Sequence, residues 1–390
     1  MDVEVIGTGI TRFGMFVDTR LRDLASEAAD LALDDADVSG EEIGLVVFGN
    51  AAAGLLTGQE MIRAHTALRS SKVAGRPMIS VENACASSSS AFHFGALAVA
   101  SGAYETVLVV GAEKMTSQDR SLAGKALAAA VDVEEAAGEV GGGDEAPRPV
   151  FMEIYAAEAR AYMQRTGATP ADLATVAAKS SKNGSLNPIA QNRIPLSTEE
   201  ILEARTIVEP LTRPMCSSIG DGAAAVVLAR RSRRSVPSVR VLASCVASAA
   251  AGDRGDVVLR AARGAYEQAG LGPEDLDVCE VHDAASPAEL VIAEELGLAA
   301  DGDALGMLRR GDTEIGGRLP VNPSGGLIAR GHPVGATGAA QIVELADQLR
   351  GRACRRQVEG ARIGLAENAG GSLGNGPAVC VVTILSTNGA

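Results

Sequence analysis

The sequence predicts an α/β protein made of two similar halves, each with a parallel sheet covered by helices. Short apolar runs that favour strands alternate with helical stretches such as Leu21 to Asp35. This alternation is typical of parallel sheets with helices on their faces. It restarts from Val236, and each half contains a turn of small residues that opens a helix. Together these observations indicate a duplicated unit.

The predicted strands of both halves are short and apolar. They are Val3 to Ile6, Leu45 to Gly49, Met78 to Val81, Val107 to Val110 and Ala223 to Leu228, then Val239 to Leu242, Val278 to Val281, Arg362 to Leu365 and Ala378 to Ile384. Met78 to Val81 is expected to be buried, and helices are expected near Val257 to Ala269 and Ala339 to Arg350. The glycine turn Gly220 to Ala223 is echoed by Gly374 to Pro377, which supports the duplication.

A stretch from about residue 117 to 206 interrupts the alternation. It contains the acidic, glycine-rich run Val131 to Ala146 and the helical segments Phe151 to Thr166 and Pro170 to Asn183. Long insertions without sheet character are commonly functional. We therefore expect an N-terminal half over residues 1–232, with this insertion covering the site, and a C-terminal half over residues 236–390.

Composition limits the classes of partner. Hydrophobic residues make up 46% of the 390 residues, but aromatics only 3% with no Trp, so the core must be aliphatic and packed with Ala and Gly. The net charge of −14 argues against nucleic acid and against an anionic membrane surface. An acidic substrate would need a local basic patch.

Cysteine spacing predicts neither disulfides nor a metal site. The six cysteines are widely spread without a CxxC pair, and the chain has four histidines. The N-terminus reads as a strand rather than a signal segment, and no apolar run approaches the length of a membrane span. We expect a soluble cytoplasmic protein.

Cys85 has the position of a nucleophile. It follows the predicted strand Met78 to Val81 and precedes a helix rich in Ala, Leu and Phe. Backbone N–H groups at a helix N-terminus favour a thiolate and can hold an oxyanion. Ser87 to Ser90 can cap that helix, and their small side chains let another backbone approach. On local sequence alone, a small buried structural cysteine is the alternative.

The second half supplies two histidines and a third glycine-rich loop. His332 lies among the glycines and small residues of Asn322 to Gly338, a density that indicates a ligand close to the backbone. His282 follows the strand Val278 to Val281, where ligands gather in open parallel sheets. Asp283 can fix its tautomer or cap the helix near Pro287.

The loop Asn368 to Gly374 follows a strand, and it has neither a lysine nor the order of a phosphate-binding loop. Its glycines are expected to bring a backbone N–H toward a reacting oxygen. With Cys85, His282 and His332 it offers a nucleophile, two polarising imidazoles and an amide donor.

These segments resemble the thiolase superfamily, and the resemblance runs essentially end to end. It rests on the Cys85 segment, on Val109 to Met115, on Gly331 to Gly338 and on the closing glycine loop, all in family order. The His282-Asp283 pair resembles the lipid-transfer-protein type, related to sterol carrier protein X, because ordinary thiolases carry Asn-Glu there.

The resemblance implies a duplicated thiolase fold, five-layered α/β/α/β/α with a loop domain, usually dimeric. It implies that Cys85 takes an acyl group from a coenzyme A thioester, with no permanently bound cofactor. His332 would accept the thiol proton and, with His282, polarise the thioester oxygen. The N–H groups of Cys85 and Gly371 would hold the other oxyanion, and the residues expected at the substrate are Met152, Ser324, Gly325 and Asn368.

One departure changes the expected chemistry. Relatives carry a second cysteine as acid and base for the α-carbon, at one of two positions that here hold Ala284 and Asn368. General acid and base assistance contributes roughly 10² to 10⁴ in rate. The first hypothesis is therefore an acyl-CoA C-acyltransferase working through acyl-Cys85 with an activated carbon acceptor.

Two other functions stay open. Some lipid-transfer-type relatives are retro-aldolases that cleave a β-hydroxyacyl-CoA, such as a steroid side-chain ester, with a small OB-fold partner. A catalytically degenerate subunit is the third hypothesis.

Overall fold

A sheet of nine strands crosses the described part of the molecule. The structure is a computed structural model that describes residues 1–136, 150–230, 238–250, 255–374 and 376–387. The strands are β1 Val3–Ile10, β2 Leu45–Gly49, β3 Met78–Val81, β4 Thr106–Glu113, β5 Thr206–Val208, β6 Leu211–Thr212, β7 Gly222–Arg230, β8 Val239–Ser248, β9 Val278–Glu280, β10 Ile363–Gly370 and β11 Val379–Thr387. The sheet order is β3-β2-β4-β7-β1-β8-β11-β10-β9, and β5 pairs with β6 separately.

Helices connect and cover these strands. They are α1 Leu21–Ala36, α2 Ala53–Thr57, α3 Arg63–Ala67, α4 Ser87–Ala100, α5 Ser121–Ala128, α6 Val133–Ala136, α7 Val150–Thr166, α8 Pro170–Leu186, α9 Thr198–Glu203, α10 Val257–Ala269, α11 Ser286–Glu295, α12 Ala304–Arg310, α13 Gly326–Ala329 and α14 Thr337–Leu349. None of the described helices is long and apolar enough to cross a membrane.

The strand order repeats in the two halves. β7 lies between β4 and β1, as β11 lies between β10 and β8. The halves meet where β1 pairs with β8, Glu4 opposite Arg240 and Val5 opposite Val239. This correspondence agrees with the duplication inferred from the glycine turns.

The prediction of parallel sheets is only partly right. β2 is parallel to β3 and β4, and β10 is parallel to β9. The pairs β4–β7, β1–β7, β1–β8, β10–β11 and β11–β8 are antiparallel. β10 and β11 follow each other through a short loop, and such a connection produces an antiparallel pair.

The elements stack in five layers. Helix α1 covers the strands of the first half, α4 and α14 form the central layer, and α10 covers the strands of the second half. The central helices bury Phe92 and Val99 of α4 and Ile342 and Leu345 of α14 between strands of both halves. Strands with both faces covered are apolar almost throughout, which explains the unbroken burial of β7 from Gly222 to Ala229.

Met78–Val81 is not buried as predicted. β3 lies at the edge of the sheet, and the side chain of Ile79 is 52% exposed. A continuous apolar run does not distinguish a central strand from an edge strand, because both contain apolar residues.

Every regular element between residues 117 and 205 is a helix within the described residues 117–136 and 150–205. The predicted run Val131 to Ala146 is described only to Ala136, and the boundary between the predicted halves at 232–236 lies outside the described residues.

Candidate active site

Cys85 lies in a tight turn immediately before α4. Its neighbour Ala84 has a φ of 47°, and the Ser87 hydroxyl donates to the Ala84 carbonyl at 2.6 Å. The Asn83 N–H in turn donates to the Ser87 hydroxyl oxygen at 3.0 Å. The Asn83 side-chain amide donates to the Ser90 hydroxyl at 2.9 Å. The serine hydroxyls hold the turn before α4 but do not cap the helix as predicted, since the N-cap residue is Ala86 and no described side chain accepts an N–H of the first helical turn.

The small residues of α4 allow the helix to pack directly against its neighbours. A Cβ at Gly49 would lie 2.6 Å from the Ser88 Cα, and one at Gly338 would lie 2.6 Å from the Ser89 backbone nitrogen. The Ser88 hydroxyl accepts the Ala339 N–H at 2.9 Å. The N-termini of α4 and α14 therefore meet, and they bring the Cys85 turn to the loop that carries His332.

The two histidines reach the same point from different strands and loops. His282 follows β9, and its ring centroid lies 5.2 Å from that of His332 at an interplanar angle of 73°. One ligand atom each of Cys85, His282 and His332 lies within 4.8 Å of the other two, and all three residues are buried. The fold therefore brings the sequence-predicted nucleophile and both imidazoles together.

The hydrogen bonds of His332 identify its free nitrogen. His332 Nδ1 lies 2.7 Å from the Thr337 Oγ1, and the Thr337 hydroxyl donates to the Pro333 carbonyl at 3.2 Å. Because a hydroxyl has one hydrogen, we assign the imidazole proton to Nδ1 from this network. The Nε2 of His332 is then an acceptor that can remove a proton.

Both imidazoles are neutral. Burial, with a contribution from the charge of the nearby Arg330 guanidinium, lowers the pKa of His282 to about 4. Burial also holds the pKa of His332 well below its ordinary value, and the proximity of His282 and of the Arg330 guanidinium lowers it too. The His282 Nε2 is buried and has no hydrogen-bond partner among the described residues. It is available to a ligand oxygen.

The thiol of Cys85 is protonated at rest, contrary to the expectation of a thiolate stabilised by the helix terminus. Burial, with a smaller contribution from the Glu113 charge, raises the pKa of Cys85 to about 12. The Gly371 N–H approaches the sulfur and lowers the pKa, but burial is the larger effect. A base must therefore take the proton for Cys85 to act.

The closing glycine loop packs against the Cys85 turn. A Cβ at Gly370 would lie 2.2 Å from the Asn83 carbonyl oxygen, so β10 ends in contact with the turn. Gly371 has a φ of 63°, a conformation that favours glycine. This backbone geometry lets the Gly371 N–H point at the sulfur.

Glu113 joins the two halves beside the site, a role that the sequence analysis missed. Its carboxylate accepts the Ala51 N–H at 2.9 Å and the Gly335 N–H at 3.0 Å. The Asn50 side-chain amide donates to it at 2.7 Å. An acidic residue at the end of an apolar strand was the available signal. Glu113 fixes the backbone just beyond His332.

Ser324, Gly325 and Asn368 are not among the described residues that line the cavity. The Ser324 hydroxyl and N–H both donate to the Glu280 carboxylate, at 2.7 and 3.0 Å. Arg330 forms a buried ion pair with the same carboxylate at 3.0 Å. The Asn368 Oδ1 accepts the Ser89 hydroxyl at 2.8 Å. These residues support the loops behind the site.

Asp283 caps a different helix from the one expected. Its Oδ1 accepts the Leu327 N–H in the first turn of α13. A Cβ at Gly326 would lie 2.1 Å from the Asp283 Oδ2, so the carboxylate is packed tightly against this turn. The residue thus fixes the loop that leads to His332.

The reactive groups open on one large cavity of about 1240 Å³. Cys85, His282, His332 and Gly371 line it, and so does Met152 on α7. Helix α7 therefore closes one wall, as expected for a covering insertion. Ala284 also lines the cavity, and Cys85 is the one cysteine among the described lining residues. No second thiol is available on the described walls.

The lining carries little positive charge. Arg63 is the one Lys or Arg among the described lining residues, and it donates to the Ala51 carbonyl at 3.0 Å. The local basic patch that an acidic substrate would need is therefore not present on the described walls.

Comparison with known proteins agrees with this geometry. A family model for the thiolase N-terminal domain matches residues 3–232, and one described as thiolase C-terminal domain-like matches residues 253–386. An acetyl-CoA acetyltransferase of Methanothermobacter thermautotrophicus is 40% identical over 96% of this chain and 97% of that protein. Sterol carrier protein 2 of Bos taurus is 34% identical over 94% of this chain and 70% of its own length.

Two solved structures share the fold. The Ltp2-ChsH2(DUF35) aldolase superposes with a TM-score of 0.79 at 25% identity and covers 100% of this chain and 98% of its own. Human mitochondrial 3-ketoacyl-CoA thiolase superposes with a TM-score of 0.72 at 19% identity and covers 99% of this chain and 98% of its own. The chain belongs to the thiolase family, and within it the chain is similar to an acetyl-CoA acetyltransferase.

Proposed function

We propose that this enzyme transfers an acyl group from a coenzyme A thioester through an acyl intermediate on Cys85. The observation that carries the proposal is the convergence of the Cys85 thiol, two neutral imidazoles and the Gly371 N–H on one cavity. A nucleophile, a base and oxyanion donors are the groups that acyl transfer requires. Relatives named for acetyl-CoA acetyl transfer support the same chemistry.

The steps follow from the protonation states. The Nε2 of His332 takes the proton of the Cys85 thiol as the sulfur attacks the thioester carbonyl carbon. The negative charge that forms on the carbonyl oxygen is held by hydrogen-bond donors at the cavity wall, for which the Cys85 and Gly371 N–H groups are our assignment. The carbon–sulfur bond to coenzyme A then breaks, and His332 returns the proton to the leaving sulfur.

The second half reaction requires an acceptor carbon that loses its proton easily. Ala284 lines the cavity where relatives of this type carry an acid–base cysteine. His282 and His332 can still polarise the oxygen of the acceptor and so stabilise its enolate. We assign Met152 to the wall that contacts the substrate.

Mass spectrometry of the intact protein tests the acyl intermediate. Incubation with short-, long-chain and polycyclic acyl-CoA esters should add the mass of one acyl group to the wild type and to a Cys354→Ala control, since Cys354 is exposed. Cys85→Ala should gain no mass. Unreactive Cys85 across the panel would contradict the proposal, and failure of every ester to bind in calorimetry would favour a degenerate subunit.

A retro-aldol function is the second candidate. It is favoured by Ala284 in place of a second thiol and by the 25% identity to an aldolase that contains a DUF35 partner. Cleavage of a β-hydroxyacyl-CoA needs a base for the hydroxyl and donors for the enolate, and it does not need the thiol. Retained cleavage in Cys85→Ala would favour this function, and so would co-purification with a small OB-fold protein.

We also propose a homodimer that forms through the β3 edge. Within the described residues β3 has a strand on one side only, and Ile79 is 52% exposed. Phe94 and Leu97 of the neighbouring α4 are 55% and 42% exposed. An apolar edge of this kind needs a cover. Light scattering should give a dimer for the wild type and a monomer for Ile79→Lys.

A further inference from the structure

Two carboxyl groups on the helices α7 and α11 line the cavity without a role in the chemistry described above, apart from Glu60, Glu82 and Asp132 on other parts of its wall. Glu158 is on α7 and Glu295 is the last residue of α11, and both line the cavity that holds Cys85. On α11, Ala288 and Ile292 precede Glu295 at helical spacing and line the same cavity. Glu295 is therefore the last residue of an otherwise apolar row along the cavity wall. A pocket for a purely aliphatic chain would not be expected to contain a carboxyl group at this position.

The helices that carry the two carboxyl groups contact each other, since the Tyr162 hydroxyl on α7 donates to the Glu294 carboxylate on α11 at 3.0 Å. Burial raises the pKa of Glu158 to about 7. Burial and then the charge of Glu158 raise the pKa of Glu295 to about 8, with Glu367 and Glu294 contributing from their own positions. At neutral pH the pair holds at least one proton, so it can both donate and accept a hydrogen bond.

One oxygen of the pair lacks the hydrogen bond that a buried polar atom normally makes. The Glu158 Oε2 is buried without a hydrogen-bond partner, and no described Lys or Arg forms an ion pair with either carboxyl. In the same cavity the nearly buried His282 also has an unpartnered nitrogen. Buried polar atoms are normally hydrogen-bonded, so unpartnered groups that face one cavity point to a polar ligand.

The acyl end of the substrate is the part that these carboxyls can contact. The phosphates of coenzyme A are anionic, and a pair of acidic groups would repel them. Tyr155, one turn before Glu158, has its pKa raised by burial and by the charges of both Glu158 and Cys85, so it lies near both groups. The carboxylates whose charges raise the pKa of the Cys85 thiol are Glu113 and Glu82, and Glu158 is not one of them. The pair lies farther from the reacting sulfur.

We propose that Glu158 and Glu295 recognise a hydroxyl group on the acyl chain, so that the enzyme selects hydroxylated acyl-CoA thioesters over unsubstituted ones. A hydroxyl can donate to one carboxyl oxygen and accept from the protonated partner. An aliphatic chain would cover both groups and leave them unpaired, which disfavours its binding. An ionised carboxylate on the chain would be repelled whenever the pair is charged. This inference rests on the proposed acyl transfer to Cys85.

The test compares hydroxylated isomers of one medium-chain acyl-CoA with the unsubstituted ester. The rate of Cys85 acylation is followed by mass spectrometry in the wild type, in Glu158→Gln, in Glu295→Gln and in Glu153→Gln as control. Glu153 is exposed on the same helix and does not line the cavity. We expect at least one isomer to react about tenfold faster than the unsubstituted ester in the wild type and control, the size of one hydrogen bond.

Each cavity variant should reduce that preference to about twofold or less and should leave the rate of the unsubstituted ester equal or higher. Equal rates for all isomers in the wild type would overturn the inference while leaving acyl transfer intact. An unchanged preference in both variants would also overturn it. Acylation by none of the esters would instead overturn the proposed function, and this inference with it.

Discussion

The Nδ1 of His332 lies 2.7 Å from the Oγ1 of Thr337, the first residue of α14. Thr337 is fully buried and donates its own hydrogen to the Pro333 carbonyl. The start of the central helix thus sets the orientation and protonation of the imidazole that faces Cys85.

Thr337→Val tests this positioning role. Valine keeps the shape but removes the acceptor for Nδ1–H, so the other tautomer becomes accessible and the base is lost in part. We expect the maximal rate of Cys85 acylation to fall by roughly 10² with little change in KM. Thr337→Ser should restore most of the rate, and Thr175→Val, on the exposed face of α8, should have no effect. A rise in KM as large as the fall in the maximal rate would indicate that Thr337 has a structural role only.

Gly370→Ala tests the contact between β10 and the Cys85 turn. The new Cβ would lie 2.2 Å from the Asn83 carbonyl oxygen, so the turn must move. Acylation should fall at least tenfold while circular dichroism stays close to that of the wild type. Gly264→Ala is the control, since its Cβ would meet its nearest neighbour at an ordinary 3.4 Å. Full activity in Gly370→Ala would refute the importance of this contact.

Glu113→Gln tests the link between the halves. One Glu113 oxygen accepts both the Ala51 and Gly335 N–H groups, and the other accepts the Asn50 side-chain amide. A glutamine NH₂ group in place of either oxygen would therefore face another donor. The free energy of unfolding should fall by about 1 to 3 kcal/mol in urea titrations, the cost of an unsatisfied buried donor. The exposed Glu41→Gln should change it by less than about 0.5 kcal/mol.

The pH dependence of alkylation tests the protonated state of Cys85. Because burial raises its pKa to about 12, the thiolate fraction is small at neutral pH and increases with pH. Reaction of Cys85 with iodoacetamide should be slow at about pH 7 and should still be rising at about pH 9. Peptide mapping distinguishes alkylation of Cys85 from alkylation of the exposed Cys354, which serves as the control for the reactivity of iodoacetamide. A plateau below about pH 8 would show a stabilised thiolate instead.

Ala284→Cys tests whether the missing second thiol limits the chemistry. The residue lines the cavity beside His282, so a thiol there can contact the acceptor carbon. We expect condensation with a simple acyl-CoA acceptor to increase at least tenfold over the wild type, within the range of general acid–base assistance. Ala293→Cys, buried on α11 but not among the described lining residues, is the matched control and should give no gain.

The sequence predicts the groups that act directly better than the groups that hold them. Cys85 and His332 stand in short segments with an unusual density of serine or glycine, and His282 directly follows an apolar strand. The fold brings all three together. Thr337 escaped notice because its hydrogen bond to His332 depends on the conformation of the loop between them, and Glu113 escaped notice because its contacts depend on how the two halves pack. No spacing along the chain encodes the bond from Gly335 to Glu113.

The same limit explains the residues that lie away from the cavity. The glycine-rich stretch around Ser324 suggests contact with a ligand. The Ser324 hydroxyl instead donates to the buried Glu280 carboxylate, which also forms an ion pair with Arg330. Close backbone approach and close ligand approach need the same small residues. The strand β3 shows the same ambiguity, since its apolar residues suit either a buried position or an edge.

The central claim is that Cys85 becomes acylated during turnover. Rapid quenching after mixing with an acyl-CoA ester, followed by intact-protein and peptide mass spectrometry, tests it most directly. The account predicts one acyl group on the peptide that contains Cys85, formed at least as fast as coenzyme A is released and absent in Cys85→Ala. Turnover without this adduct, or undiminished turnover in Cys85→Ala, would contradict it.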